Sequence, residues 1–314
     1  MLLLIEHGAN VNALDGRHGT PLHLVLSWVS IKTARPLLQY TDEKAQYKSH
    51  PQHQSSNSEG KAADCQIPTL KVVRLLIKHG ANVNVPDGNQ ETPLHLALSG
   101  GMTKTSLLLI KHGADVNARH GDYSTPLHLA SSFWNTKTAR ILIEHGADVN
   151  ALNGNREAPL HLAASGTKTR TMQLLIKHGA DVNAQDKNHS TPLHLASSLW
   201  STKTVRILIE HGADVNALNG DRKTPLHLAS SSSRLKNIQL LIDHGADINA
   251  RDENGQVAFE LSFFESPGEL RICATLGRVR ANTNEQDSKR MRTRTRIQRG
   301  RALAIRLGPL TRMQ

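Results

Sequence analysis

Apolar positions in this chain fall into two short helical stripes per unit, and the unit recurs. Within residues 125–150, Leu127, Leu129 and Ala130 mark one inward stripe, while Ile141, Leu142 and Ile143 mark a second. A polar break at Asn135–Thr136 separates them and permits a turn and a second N-cap. The pattern predicts a short helix capped by Thr125, with Pro126 in the first turn, where a missing N–H leaves nothing unpaired. A second helix is expected over residues 139–144, stopped by Gly146 in the left-handed conformation. Residues 147–150 then lead outward, and Asn153-Gly154 offers a tight reversal. Alone, such a pair of helices could not cover its apolar faces.

The opening Thr-Pro-Leu-His stands at Thr20, Thr92, Thr125, Thr191 and Thr224, and Ala158 heads a sixth copy. From Thr92 through Thr125, Ala158 and Thr191 to Thr224 the starts are evenly spaced, and one further step reaches a degenerate copy at Val257. A fixed period of this length implies stacked units that bury their cores between neighbours. The opening motif, the Gly-Ala-Asp-Val-Asn close and the period together resemble the ankyrin repeat over roughly residues 1–282. The resemblance implies an all-α solenoid of stacked helix-turn-helix pairs with projecting β-hairpin-like loops. It also implies protein binding through the concave face and the hairpin tips.

Domain organisation follows from where the beat holds. Residues 1–282 read as the array: a partial first repeat, about seven further repeats including the degenerate last, and a disordered insertion at residues 41–69. Residues 283–314 read as a basic, disordered tail. Met1 opens inside the second helix of a repeat. The step from Thr20 to Thr92 exceeds one period by more than the length of a whole repeat.

Composition changes the picture little. Aromatics are only 3% of residues, so the core must be built from Leu, Ile, Val and Ala. Cys65 and Cys273 are the only cysteines and form no ligand spacing, which fits a reducing compartment. No apolar run reaches membrane-spanning length, so an intracellular protein, cytoplasmic or nuclear, monomeric and without membrane contact, is expected. The net charge of +11 is concentrated in the tail, where nine Lys/Arg face Glu285 and Asp287.

No phosphate loop, nucleophile motif or HExxH metal motif is present, so the chain is read as non-catalytic, with no cofactor and no metal. Of eighteen histidines, six sit in Pro-Leu-His and seven precede the stop glycine. Such repetition marks structural slots, in which imidazole bridges a Thr hydroxyl to a neighbouring backbone or caps a helix C-terminus. His50, His53, Asp64 and Cys65 lack zinc-ligand spacing.

Function is sought where the beat breaks. Trp134 and Trp200 occupy the turn slot that Gly101 still holds, and with Phe133 and Leu199 they are candidate partner anchors. The alternative is that each ring packs on its own repeat. Family loops commonly keep a glycine two residues before the Thr, yet only Gly255 fills that place here. His18, Gln90, Tyr123, Arg156, His189 and Arg222 stand there instead. Tyr123, Arg156, His189, Arg222 and Lys223 are the candidate tip contacts. The main reading is a scaffold or adaptor for an unknown protein partner. Two competing readings rank below it: a nuclear regulator whose Arg290–Arg301 stretch meets nucleic acid or import machinery, and the targeting part of a larger enzyme.

Overall fold

The computed structural model describes residues 7–27, 59–132 and 136–261, with the backbone alone at 59–68, 259 and 261. Contacts divide the chain into two compact units: Met1–Ala196 with Lys203–Asp214, and Ser197–Thr202 with Val215–Gln314. Both are built from helix pairs. Helical residues 21–27 are followed by α1 (Glu59–Lys78), α2 (Pro93–Ser99), α3 (Thr103–Lys111), α4 (Pro126–Ser132) and α5 (Thr136–Glu144). Then come α6 (Pro159–Ser165), α7 (Thr169–Lys177), α8 (Pro192–Ser197), α9 (Thr202–Glu210), α10 (Pro225–Ser231) and α11 (Leu235–Asp243). A 3-10 turn, Ala258–Leu261, stands in the degenerate repeat.

The short inner helices begin at Pro and bury the first Leu of the stripe, and the Ala where one is present, while the second Leu, Leu129 in α4, is only half-buried. Leu94, Ala97, Leu127, Leu160, Ala163, Leu193, Leu226 and Ala229 are fully enclosed. The outer helices close on glycine as expected: Gly113, Gly146, Gly179, Gly212 and Gly245 all adopt φ of 82–88°. The Gly146 N–H donates to Ile143 O and the Ala147 N–H to Leu142 O, both at 3.0 Å, which satisfies the last carbonyls of α5. The outer helix starts at Thr136, at the polar break where a second N-cap is expected and ahead of the apolar stripe that begins at Ala139. Its first turn, Thr-Lys-Thr, is helical although it carries no large apolar side chain.

An asparagine ladder ties repeat to repeat. In the first unit Asn84 Nδ2 donates to Gly113 O at 2.8 Å, and Asn84 Oδ1 accepts the Asp115 N–H at 2.8 Å. Asn117, Asn150 and Asn183 repeat both bonds. Asn216 does the same within the second unit, to Gly245 and Asp247.

That ladder also locates the extra residues. Asn12 Nδ2 reaches Gly80 O across 68 residues, whereas Asn84 reaches Gly113 O across 29. His23 Nε2 meets Glu91 O across 68 residues, and His128 Nε2 meets Glu157 O across 29. The excess is the same for both bonds and equals the whole surplus between Thr20 and Thr92. The stacking register is therefore unbroken, and the surplus lies between residues 28 and 68. Within the stretch expected to be a disordered insertion, residues 41–58 lie outside the described residues. Residues 59–69 form the first half of α1, carried by the helix formers Lys61, Ala62 and Ala63.

The projecting loops depart from a hairpin. Among the described residues only one isolated bridge, Arg251 with Val257, has strand character. Most tips are closed by a side chain that bonds nearby backbone N–H groups. Asp87 Oδ1 accepts the Asn89 and Glu91 N–H groups at 2.9 Å, folding the tip as an Asx turn. Asp15, Asn153, Asp186, Asn219 and Asp252 build the same turn.

Candidate functional site: strained loop tips and an exposed indole

Every described tip places the residue three positions before the inner helix, two before its capping residue, at positive φ. Gly255 does so at 75°, and His18, Gln90, Tyr123, Arg156, His189 and Arg222 do so at 56–63°. Left-handed backbone crowds Cβ against the carbonyl oxygen, so each of these six residues carries strain that glycine would avoid. All six side chains are exposed, Tyr123 to 59%. The displaced glycines serve another need. The Gly88 N–H donates to Arg17 O at 2.9 Å, and a Cβ on Gly88 would meet that same carbonyl at 2.9 Å. Gly121 and Gly154 approach the preceding tip in the same way.

In the first unit the tips of residues 15–19 and 87–91 flank a groove of about 640 Å³, lined by Asp15, Arg17, His18, Leu24, Asn89 and Glu91. Its Leu24 is 53% exposed. Burial pushes the Glu91 carboxyl up, aided by the Asp87 charge. The Gly19 and Arg17 N–H groups hold the Asp15 carboxyl below its ordinary value. His189 Nδ1 lies 3.2 Å from Gln185 Oε1, which steadies the ring above its tip.

The second unit holds Arg222, Lys223, Leu199 and Trp200. Lys223 Nζ is 3.4 Å from Asp221 Oδ2, and the side chain is half-buried. Leu199 is also half-buried, and it works through its carbonyl, which accepts Asn237 Nδ2 at 2.8 Å. Asn237 is itself buried and donates to Ser197 O as well. Trp200 is 83% exposed. Arg234 stacks its guanidinium 3.9 Å from the ring centroid while Arg234 Nε donates to Ser198 O at 2.8 Å. The equivalent turn residues Gly101, Thr167 and Ser233 are left-handed, but Trp200 is not. At Trp200 the turn takes another shape and presents the indole. Phe133 and Trp134 lie outside the described residues, as does the Arg290–Arg301 stretch.

The six helix-opening histidines fill structural positions. His128 Nδ1 accepts the Thr125 N–H at 3.1 Å and sits 2.9 Å from the Thr125 hydroxyl. A nitrogen that accepts a backbone N–H bears no proton, so Nε2 carries it and donates to Glu157 O at 2.9 Å. Burial pushes the pKa of His23, His128, His161 and His227 down, opposed by these carbonyls. His95 is pushed down to about 4, by burial first and the neighbouring His120 second. Among the seven before the stop glycine, His145, His211 and His244 bond a carbonyl one turn back at 2.7–2.8 Å. Among the described residues no three His, Cys, Asp or Glu side chains gather as a metal site.

Sequence reasoning named four of the six strained tip residues as contacts and passed over His18 and Gln90, although they fill the same slot. Arg234 was missed altogether, because its partner Trp200 belongs to the neighbouring repeat and only folding brings the two together.

The family model for ankyrin repeats matches this chain in three copies, at residues 61–120, 118–186 and 160–252. A search of curated proteins gives no match.

Proposed function

Because the chain belongs to the ankyrin-repeat family, whose repeats are generally protein-protein interaction modules, we infer that it is a non-catalytic scaffold or adaptor holding a protein partner on its loop tips. The observation that carries this reading is the run of non-glycine residues kept in left-handed backbone. Strain of this kind persists where a side chain is needed and clusters at functional sites. In the first unit Tyr123, Arg156 and His189 present an aromatic ring, a guanidinium and an imidazole on tips spaced one repeat apart. In the second, Arg222 and the Trp200–Arg234 stack supply the exposed anchors. Trp, Tyr and Arg are the residue types enriched at interface hot spots.

The test separates strain from function. In the variant Tyr123→Gly/Arg156→Gly/His189→Gly each substitution relieves about 1 kcal/mol of backbone strain and loses part of it to the freer unfolded chain. The melting temperature is expected to rise. Partners recovered by proximity labelling with the unaltered chain are titrated against both proteins, and the glycine variant is expected to bind at least about tenfold more weakly. Equal affinity with raised stability would remove the tips from the interface.

A further inference from the structure

The near-balanced charge of the array conceals a segregation by face. In the first unit most of the described carboxylates lie in the projecting loops, at Asp15, Asp87, Asp115, Asp148, Asp181 and Asp214 among others, while Glu59 and Asp64 stand in the first half of α1. The outer helices are basic. Lys71, Lys104, Lys137, Arg170 and Lys203 occupy one and the same slot of successive repeats, and all five side chains are exposed. One helical turn further along, Arg74, Arg140 and Arg206 form a second exposed row on alternate helices. From Thr69 to Glu210 the outer helices hold only two carboxylates, Glu144 and Glu210, both at helix C-terminal ends. Among the described residues none of the five slot cations has an ion-pair partner.

The helix itself disfavours this arrangement. In α3, α5, α7 and α9 the cation is the second residue, where the macrodipole and unpaired N–H groups favour an anion. No acidic residue stands in the first turn of any of them. A cation placed against the local field, in the same slot of successive repeats, adds to a positive potential that already emerges from the helix ends.

We propose that this outer-helix face of the first unit is a binding surface for the phosphate backbone of double-stranded nucleic acid. Three features select that occupant. Protein interfaces are depleted in Lys and built around apolar or aromatic anchors, yet among the described residues no exposed large apolar side chain lies on these five helices. Single strands are held by stacking on aromatic rings, and the outer helices from Thr69 to Glu210 contain none. Finally, helices packed about 8–10 Å apart spread five cations over about 32–40 Å, close to the roughly 34 Å of one duplex turn. Contacts of this kind position a duplex without reading its sequence.

The experiment measures binding of the full chain to a mixed-sequence 20-base-pair duplex as salt is varied. Five neutralised phosphates predict a log–log salt slope near −4.5, which is about 500-fold weaker binding at 200 mM than at 50 mM salt. In the variant Lys71→Gln/Lys104→Gln/Lys137→Gln/Arg170→Gln/Lys203→Gln the slope is expected to become shallower by about four to five. Affinity at 100 mM should fall on the order of 100-fold, with the circular dichroism spectrum unchanged. A second variant, Arg290→Gln/Arg292→Gln/Arg294→Gln/Arg296→Gln, should keep most of the salt slope. The proposal is overturned if the five-slot variant keeps the original slope, or if the tail variant alone abolishes binding. It is equally overturned if phosphatidylserine vesicles or polyglutamate are bound and the duplex is not.

Discussion

At the scale of single residues, one tip breaks a rule that the others keep. Six tips use Asp or Asn to accept two backbone N–H groups, but the tip of residues 120–124 has His120 in that place. Its neighbour Asp122 takes over part of the task, accepting the Ser124 N–H at 2.9 Å and lying 2.9 Å from His120 Nδ1. Burial raises the Asp122 pKa, but the Ser124 N–H and hydroxyl outweigh it and leave the carboxyl below its ordinary value. The His120 ring stands edge-on to His95 at 5.2 Å. His95 is fully buried, and its Nε2 finds no hydrogen-bond partner among the described residues, unlike Nε2 of His128 or His161. A buried donor left unpaired costs about 1–3 kcal/mol. His120→Asn restores the side chain found at Asn153 and Asn219, and it is expected to stabilise the chain by about 1 kcal/mol. Thermal unfolding checks this, and a lowered melting temperature would mean that the ring contact outweighs the turn.

At the scale of elements, the outer helices pit local stability against surface charge. Replacing Lys104 by Glu puts an anion at the second position of α3, where the dipole favours it by about 0.3 kcal/mol or more at low salt. Lys104→Glu is therefore expected to raise the urea midpoint slightly in low salt, with the gain shrinking as salt is added. A loss at every salt concentration would show that Lys104 serves the fold. The same helices show what the chain discloses before folding. Inner helices and glycine stops were legible because Thr-Pro caps, apolar stripes and left-handed glycines act locally. The start of α5 was legible only through the polar break at Asn135–Thr136, because Thr136, Lys137 and Thr138 carry no apolar signal. The tips were legible as oddities, through the missing glycine, but their Asx turns needed the side-chain geometry of Asp87 and its counterparts. The Trp200–Arg234 stack and the segregation of charge were hidden, since each depends on which residues the stack brings to one face.

At the scale of the whole molecule, the repeated histidine slot becomes a property of the chain's stability. Each lowered pKa means that the folded state resists a proton that the unfolded chain accepts near pH 6.5. Stability is therefore full above that pH and declines as pH falls toward the folded value. The loss is up to about 1.4 kcal/mol per pH unit for each histidine involved. For His95, whose folded value is about 4, the expected loss at pH 5 is about 2 kcal/mol. His23, His128, His161 and His227 add to it in the same direction. Protonation would also set an N–H on Nδ1 against the Thr N–H it now accepts. Carboxylates behave differently: Asp15 and Asp122 are lowered from an ordinary value of 3.8, so their share is lost only below about pH 4. These two aspartates thus titrate below the histidine window, whereas Glu91, raised from its ordinary value, gains stability as pH falls and opposes the histidines. Urea unfolding from pH 7.5 to 4.5 should show the midpoint falling from about pH 6.5 downward, and His128→Gln should flatten that slope by about one proton. A midpoint constant to pH 5 would mean that the imidazoles take up protons in place, and that the repeated slot holds by packing instead of by its two hydrogen bonds.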